Sequence, residues 1–449
     1  MWSTRRDAFL DALKAERGVA VIPTNSEALR NGTSHFRFRP DSNFFYLTGF
    51  GEPEAVAVFL PHHPEHRYVL FVRPRDKAQE TWTGRRAGVE GARERFEADA
   101  AFPIEELEER LPELLKDAQS LYYPLGHHPD TDRLVQTAMT AARRFRKMGT
   151  TTPTSIHDPG VLLGEARLFK SDDELAQMER AAQISAEAHI AAMRATRPGA
   201  TEGQIEALIE FTFRSQGGVG PAYNTIVGAG DNATILHYIE NKDPLRAGDL
   251  LLVDAGCEYG YYCADLTRTW PVNGRFTGPQ RDLYDVVLAS QEAAIERVRP
   301  GQRFIDPHET AVEILTRGMI DLGLITGSLD EALETRAYQR FYMHKTGHWL
   351  GMDVHDVGEY YEAGADGERA SRTFSPGMVT TVEPGIYVPL DDAEAPEAFR
   401  GIGIRIEDDV QVTAGAPKIL TKGCPKAPHE LEALVGTGDG PLAALNRAS

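Results

Sequence analysis

Four carboxylates and four imidazoles in the second half of the chain sit where they could do chemistry together. Asp254 and Asp265 lie in "LLVDAGCEYGYYCADLTRTW", Glu383 in "TTVEPGIY" and Glu407 in "GIRIEDDV", all within strand-like apolar runs. The histidines are His237 in "TILHYIEN" and His344, His348 and His355 in "FYMHKTGHWLGMDVHDVGEY". One acidic residue on an antiparallel strand is ordinarily solvated, because such sheets turn a polar face to water. Four that converge on one sheet face must raise one another's pKa or share a cation. Hard divalent ions take oxygen ligands, so four carboxylates with one or two imidazoles suit a two-metal site for Mn, Co or Fe better than a structural zinc. His344 and His348 have the spacing of a zincin helix, but the Glu of His-Glu-x-x-His is missing and Gly347 opposes a helix there.

The elements that must position these groups can be read from the same stretches. The run from Leu251 to Trp270 reads as a β-hairpin with Tyr259-Gly260 at its tip. A turn centred there pairs Asp254 with Asp265 across the strands, their Cβ atoms about 5 Å apart, so something must offset their repulsion. Cys257 and Cys263 flank this hairpin without the partner pair a cysteine-based metal site needs. "AYNTIVGAGDNATILHY", "GMVTTVEPGIYV" and "GIRIEDDVQVT" read as further strands, with helices near 278–298 and 307–322 between them. Two helices precede this region. One opens on the capping box Ser171/Glu174 and continues as the stripe Leu175, Met178 and Ala182; the other has Thr201/Gln204 as its box and Gly217-Gly218 as its stop. The expected result is an α+β domain over 166–449, its helices packed on a curved, mostly antiparallel sheet.

Ahead of it, 1–165 reads as a separate α/β domain. "AVAVFL", "YVLFVR" and "SLYYPL" carry strand signals, "EELEERLPELLKD" a helical one, and "GTTTPTSIHDPG" marks the connection.

Composition limits the partners. A net charge of −19 opposes nucleic acid or an anionic membrane as a binding surface. Cys257, Cys263 and Cys424 are too few for a disulfide framework, the opening "MWSTRRDAFLDALKAERG" lacks the apolar core of a secretion signal, and no apolar run approaches the ~18 residues of a membrane span. A cytoplasmic location is expected.

Five stretches together resemble aminopeptidase P, the Xaa-Pro aminopeptidase family of the pita-bread superfamily that also holds prolidase, methionine aminopeptidase and creatinase. They are "TILHYIENKDPLRAGDLLLVDAGCEYGYYCADLTRTWPVNG", "HKTGHWLGMDVHDVG", "SPGMVTTVEPGIY", "GIGIRIEDDV" and the N-terminal "RPDSNFFYLTGFGEPEAV". The resemblance implies a pita-bread catalytic domain behind an aminopeptidase P type N-terminal domain, and removal of the first residue from peptides with proline second. It implies two divalent ions per subunit, commonly Mn, with Co, Fe or Zn as alternatives. Asp254 would bind one ion, Asp265 and Glu407 would bridge, and His348 with Glu383 would bind the other. A water between them would act as hydroxide, with Glu383 also as general base. His237 and His355 would hydrogen-bond the scissile carbonyl and the tetrahedral intermediate. His344 and Arg405 would line the proline pocket, with a structural partnership to a nearby carboxylate as the other reading of Arg405. Trp82 would reach a neighbouring subunit's site, or else serve as an ordinary core or surface residue, in a dimer or tetramer. One position departs from the pattern: the family usually has Gly after the first of these loop histidines, where this chain has Lys345, which bears on the loop's backbone and on the charge of the substrate pocket. The competing expectations are a prolidase, with the same chemistry on dipeptides alone, and a binding protein that keeps the fold without catalysis.

Overall fold

Valine- and phenylalanine-rich runs organise the first of the two units of the computed structural model, Met1–Ala166; the second begins at Arg167. The structure describes residues 1–364 and 367–438. In the first unit the expected strand segments form Val56–Phe59, Tyr68–Val72 and Ser120–Tyr122. With Ala100–Pro103, Gly18–Pro23 and Ser155–His157 they make one six-stranded sheet of parallel and antiparallel pairs. Gly18–Pro23, buried along its whole length, lies inside that sheet. Leu107 and Leu111 of helix Leu107–Leu114 and Val135 and Ala138 of helix Pro129–Ala142 join Val19, Val58 and Phe71 in one apolar core.

The second unit opens on helix Asp172–Ala195, where Glu174 Oε2 accepts the Ser171 backbone N–H at 3.0 Å. Met178 and Ala182 are buried along it and Leu175 half-buried. Helix Glu202–Ser215 carries the reciprocal cap, Thr201 Oγ1 and Gln204 Oε1 each accepting the other residue's backbone N–H at 3.2 Å. Helices Gly278–Ile295 and Asp306–Asp321 follow. Side chains from all four, among them Ile184, Ile205, Leu283 and Leu315, pack with Leu251, Val253, Trp270 and Ile404 of the strands. These strands pair antiparallel as Ile226–Ala229, Leu250–Asp254 and Thr267–Pro271; as Val379–Val382, Asp408–Gln411 and Lys418–Ile419; and as Gly385–Val388 with Ile402–Arg405. Backbone and side chain join the groups where Glu407 N–H reaches Thr267 O at 3.1 Å and Thr269 Oγ1 reaches Arg405 O at 3.0 Å.

Three local expectations are corrected. The hairpin turns one residue later than its sequence suggests: Glu258 faces Cys263 and Tyr259 faces Tyr262 around Gly260 and Tyr261, at φ 58° and 65°. Those positive angles are what a two-residue I′ turn requires, and Gly260 adopts the first without strain. Asp254 therefore pairs with Thr267 rather than Asp265, and Asp265 falls in the break before Thr267–Pro271. Gly256 permits that crossing, since a Cβ there would stand 1.7 Å from Ala264 O. "TILHY" is not a strand either, because after Ile226–Ala229 the chain enters the 3₁₀ turn Gly230–Thr234 and His237 sits in the loop beyond. Finally, Glu383 and Glu407 occupy interruptions between strands rather than strand interiors. Pro384, with no N–H to donate, ends the first ladder there.

Candidate metal centre

Three of the carboxylates, Asp265, Glu383 and Glu407, sit where strands are interrupted. Asp254 closes Leu250–Asp254, and it is 8 % exposed, against 6 % for Asp265 and 2 % for Glu407. These are buried acids, not the solvated face an open antiparallel sheet would offer. Asp265, Glu407 and His348 offer ligand atoms that all lie within 4.8 Å of one another. His348 Nε2 stands 3.4 Å from Asp265 Oδ2 and 3.6 Å from Glu383 Oε1. Its Nδ1 is 3.0 Å from Trp349 O, which orients the ring and turns Nε2 toward the carboxylates. The loop itself is fastened to strand Val379–Val382 by Thr381 N–H to His348 O and Glu383 N–H to Thr346 O, at 3.0 and 2.8 Å. Gly347 lets them approach, since a Cβ there would meet Thr381 O at 2.1 Å.

Several neighbours hold the acids in place. Tyr223 Oη donates to Asp254 Oδ1 at 2.5 Å and to Asp265 Oδ1 at 2.6 Å, one hydroxyl hydrogen shared between two carboxylates. Arg405 Nη2 donates to Asp254 Oδ2 at 2.6 Å, and its other nitrogens reach Tyr387 Oη and Thr267 Oγ1 at 3.1 Å. Thr267 Oγ1 donates to Glu407 Oε2 at 2.7 Å. Behind them, Arg268 Nη2 donates to Asp408 Oδ1 at 2.7 Å and Nη1 to the Glu407 carbonyl at 2.5 Å, while Asp409 accepts the Asp265 N–H. The run Glu407-Asp408-Asp409 thus divides its labour: one acid to the cluster, one to a buried arginine, one to the backbone of Asp265.

Charge is what this cluster lacks. Burial pushes the carboxyl of Glu383 up to about 7 against the pull of His348 and Arg405. Burial and the charges of Asp265, Glu383 and Asp254 push Glu407 well above the usual range. Asp254 is raised by burial, and Asp265 adds to this against the opposing Arg405. Burial disfavours a charged His348, yet Asp265 and Glu383 outweigh it and lift its pKa to about 9. Three carboxylates whose ionised forms are disfavoured, gathered with Asp265 around one imidazole, form a donor set suited to divalent ions. The residues fit such a centre.

The carboxylates open onto a cavity of about 990 Å³, lined also by His237, His344, His355 and Arg405 and walled by apolar residues such as Ile239, Phe304 and Phe374. His344 Nε2 lies 2.9 Å from Tyr387 Oη and its Nδ1 3.8 Å from Glu383 Oε2; burial and Arg405 hold it neutral, with a pKa of about 4. The His355 ring centre is 4.2 Å from that of His348 and is kept neutral by burial and by that neighbour. Arg405 lines the cavity and is also bonded to Asp254. Trp82 lies on helix Lys77–Thr83 of the first unit and is 86 % exposed. Sequence reasoning missed Tyr223, Arg268, Asp408, Asp409 and the lining residue His308. Only the acidic pair after Glu407 carried a visible signal, since two adjacent charges in an apolar strand demand buried partners.

Comparison with known proteins agrees with this geometry. Residues 176–414 match the model of metallopeptidase family M24, and residues 2–122 match the aminopeptidase P N-terminal domain. The chain is 42 % identical over 432 residues to the Xaa-Pro aminopeptidase of Escherichia coli, covering 96 % of each. It superposes on the aminopeptidase PepP of Pseudomonas aeruginosa with a TM-score of 0.92 at 43 % identity, covering 99 % of this chain and 98 % of that one. A zinc-substituted E. coli aminopeptidase P in complex with product gives a TM-score of 0.91 at 42 % identity, covering 96 % and 97 %.

Proposed function

The chain belongs to metallopeptidase family M24, and from that membership we infer that it is a metal-dependent Xaa-Pro aminopeptidase, a hydrolase that releases the first residue of peptides with proline second. The observation that carries the reading is the convergence of Asp254, Asp265, His348, Glu383 and Glu407 on the wall of one cavity, in a chain whose residues 2–122 match the aminopeptidase P N-terminal domain. These five residues would hold two divalent ions. When bound, such ions polarise a carbonyl and lower the pKa of water from 15.7 toward ~7. Glu383 then accepts a proton at its carboxylate. His237 and His355 donate to the oxygen on which negative charge develops, each a contribution of about 10²–10³ in rate if it acts as an oxyanion donor. An Xaa-Pro amide has no N–H and a ring-fixed backbone, so it is recognised by shape rather than by strand pairing. His344 and the apolar wall supply that shape.

The finer assignments rest on the following support. Manganese is the resident metal because the donors are oxygen-rich and hard, while the zinc-substituted relative makes zinc a workable replacement. The subunits assemble as a dimer or tetramer, with Trp82 as an interface residue, since so exposed an aromatic suits a partner surface. The compartment is the reducing cytoplasm, as three buried free cysteines favour, and among the described residues no helix is long and apolar enough to cross a membrane. The test is hydrolysis of Ala-Pro-Ala and of the dipeptide Ala-Pro by metal-stripped protein with and without Mn. Metal-dependent release of alanine from the tripeptide is the expected result. Cleavage of the dipeptide alone would make the protein a prolidase, and cleavage of neither would contradict the enzyme reading.

A further inference from the structure

Two permanent cations line the cavity, and they are placed very differently. Arg405 is 3 % exposed and bonded to Asp254. Lys345 is exposed, and among the described residues its ammonium forms no ion pair. In a chain of net charge −19, a lysine without a carboxylate partner at the wall of a cavity floored by four acids is out of keeping with its surroundings. Its backbone lies outside the left-handed region, so lysine fits this loop position without strain. Beside it, His308 lines the same wall with Nδ1 2.9 Å from Thr346 Oγ1. Burial and the nearby Lys345 charge hold that imidazole neutral, with a pKa of about 4. The wall therefore presents one positive charge and a hydrogen-bonding ring.

A peptide with proline second carries an ammonium at one end and a carboxylate at the other. The ammonium belongs at the acidic floor, and Lys345 would repel it. We propose that Lys345 is a specificity-determining residue, one that pairs with a carboxylate of the substrate downstream of the proline, best supplied by the C-terminus of a tripeptide. The terminal carboxylate lies two residues, about 7 Å, beyond the scissile bond. Lys345 follows His344, whose Nδ1 is 3.8 Å from Glu383 Oε2, and both residues line the cavity that Glu383 lines. The inference rests on the aminopeptidase reading of the same cavity and adds the class of peptide it favours.

The experiment compares kcat/KM of the Mn-loaded protein for Ala-Pro-Ala and its C-terminal amide, with Glu-Pro-Ala amide against Gln-Pro-Ala amide as the arm for an acid at the first position. A partly exposed pair of this kind is expected to favour the free acid about 3- to 10-fold, mostly through KM. The preference should shrink in 0.5 M salt, vanish in Lys345→Ala, reverse in Lys345→Glu and survive in Lys345→Arg. Calorimetric binding of the product-like dipeptide Pro-Ala and its amide gives a second readout with the same expected order. Equal rates for acid and amide, a preference that persists in Lys345→Ala, or a gain that follows the acid at the first position would overturn the proposal while leaving the enzyme reading intact. No hydrolysis of any peptide would instead sink the enzyme reading, and this inference with it.

Discussion

Replacing Tyr223 by Phe removes one oxygen and leaves the ring, so it isolates what a single hydroxyl does for the acid cluster. That hydroxyl stands 2.5 and 2.6 Å from Asp254 and Asp265, close enough that its one hydrogen ties together two groups that otherwise repel. Burial together with Asp254 and Asp265 raises the phenol far above its usual range, so it remains a donor at every working pH. Hydrogen bonds to charged groups are worth about 1.5–3 kcal/mol each, and a single shared hydrogen realises about one of them. Loss of that much pre-organisation corresponds to roughly a 10- to 100-fold weakening of metal affinity, the range known for partners that orient metal ligands. Calorimetric titration of Mn into metal-stripped wild type and Tyr223→Phe reads this directly, with circular dichroism to check that the fold is kept. A variant that binds Mn within twofold of wild type would refute the reasoning, because it would mean that the metal alone organises Asp254 and Asp265.

Other substitutions probe the same account from different sides. Asp254→Ala and Glu407→Ala should abolish peptide hydrolysis yet fold, as activity assays and circular dichroism on the same samples would establish; full activity in either contradicts the assignment. In metal-free buffer Glu407→Gln should melt at or above the wild-type temperature, because burial and Asp265 disfavour the ionised form of Glu407; a Tm several degrees lower would argue that the ionised form is stabilising. Arg268→Met leaves Asp408 to Lys426, Gln291 and Thr421 and the Glu407 carbonyl without this donor, and should cost about 1–3 kcal/mol in denaturant unfolding. His189 sets an acid limit: buried beside Trp270, with Nδ1 on Ser185 O, it is held neutral with a pKa of about 4. Its folded pKa is depressed, so its contribution is complete above pH 6.5 and is lost as pH falls toward 4. That interval is worth about 3 kcal/mol at 1.4 kcal/mol per pH unit. Unfolding of His189→Gln should show a correspondingly shallower loss between pH 6.5 and 4, and an unchanged slope would assign the acid dependence elsewhere.

Why some of this was legible in the sequence and some was not follows from the physics of each element. Capping boxes at Ser171 and Thr201 were readable because a helix start is decided within four residues. The architecture and family followed from motifs spread along most of the chain, and relatives at 42 % identity support both. Register was harder. Gly260 permits a positive φ whether it takes the first or the second turn position, and only packing against the rest of the domain selects Gly260-Tyr261 over Tyr259-Gly260. Asp254 and Asp265 still come together, but through Tyr223 and the break after Cys263 rather than through a ladder. Burial was not readable at all: Leu250–Asp254 is covered on both faces, and its closing aspartate looks in sequence like any solvated strand end. Partners distant in sequence, such as Arg268 with Asp408 or Tyr223 with Asp265, leave no local pattern to find.

The most direct test of the central claim is metal stoichiometry measured together with activity. Protein stripped by chelator should take up two Mn ions per chain, and release of alanine from Ala-Pro-Ala should return as those ions bind. A chain that hydrolyses the tripeptide with no metal bound, or that remains inactive when fully loaded, would contradict it.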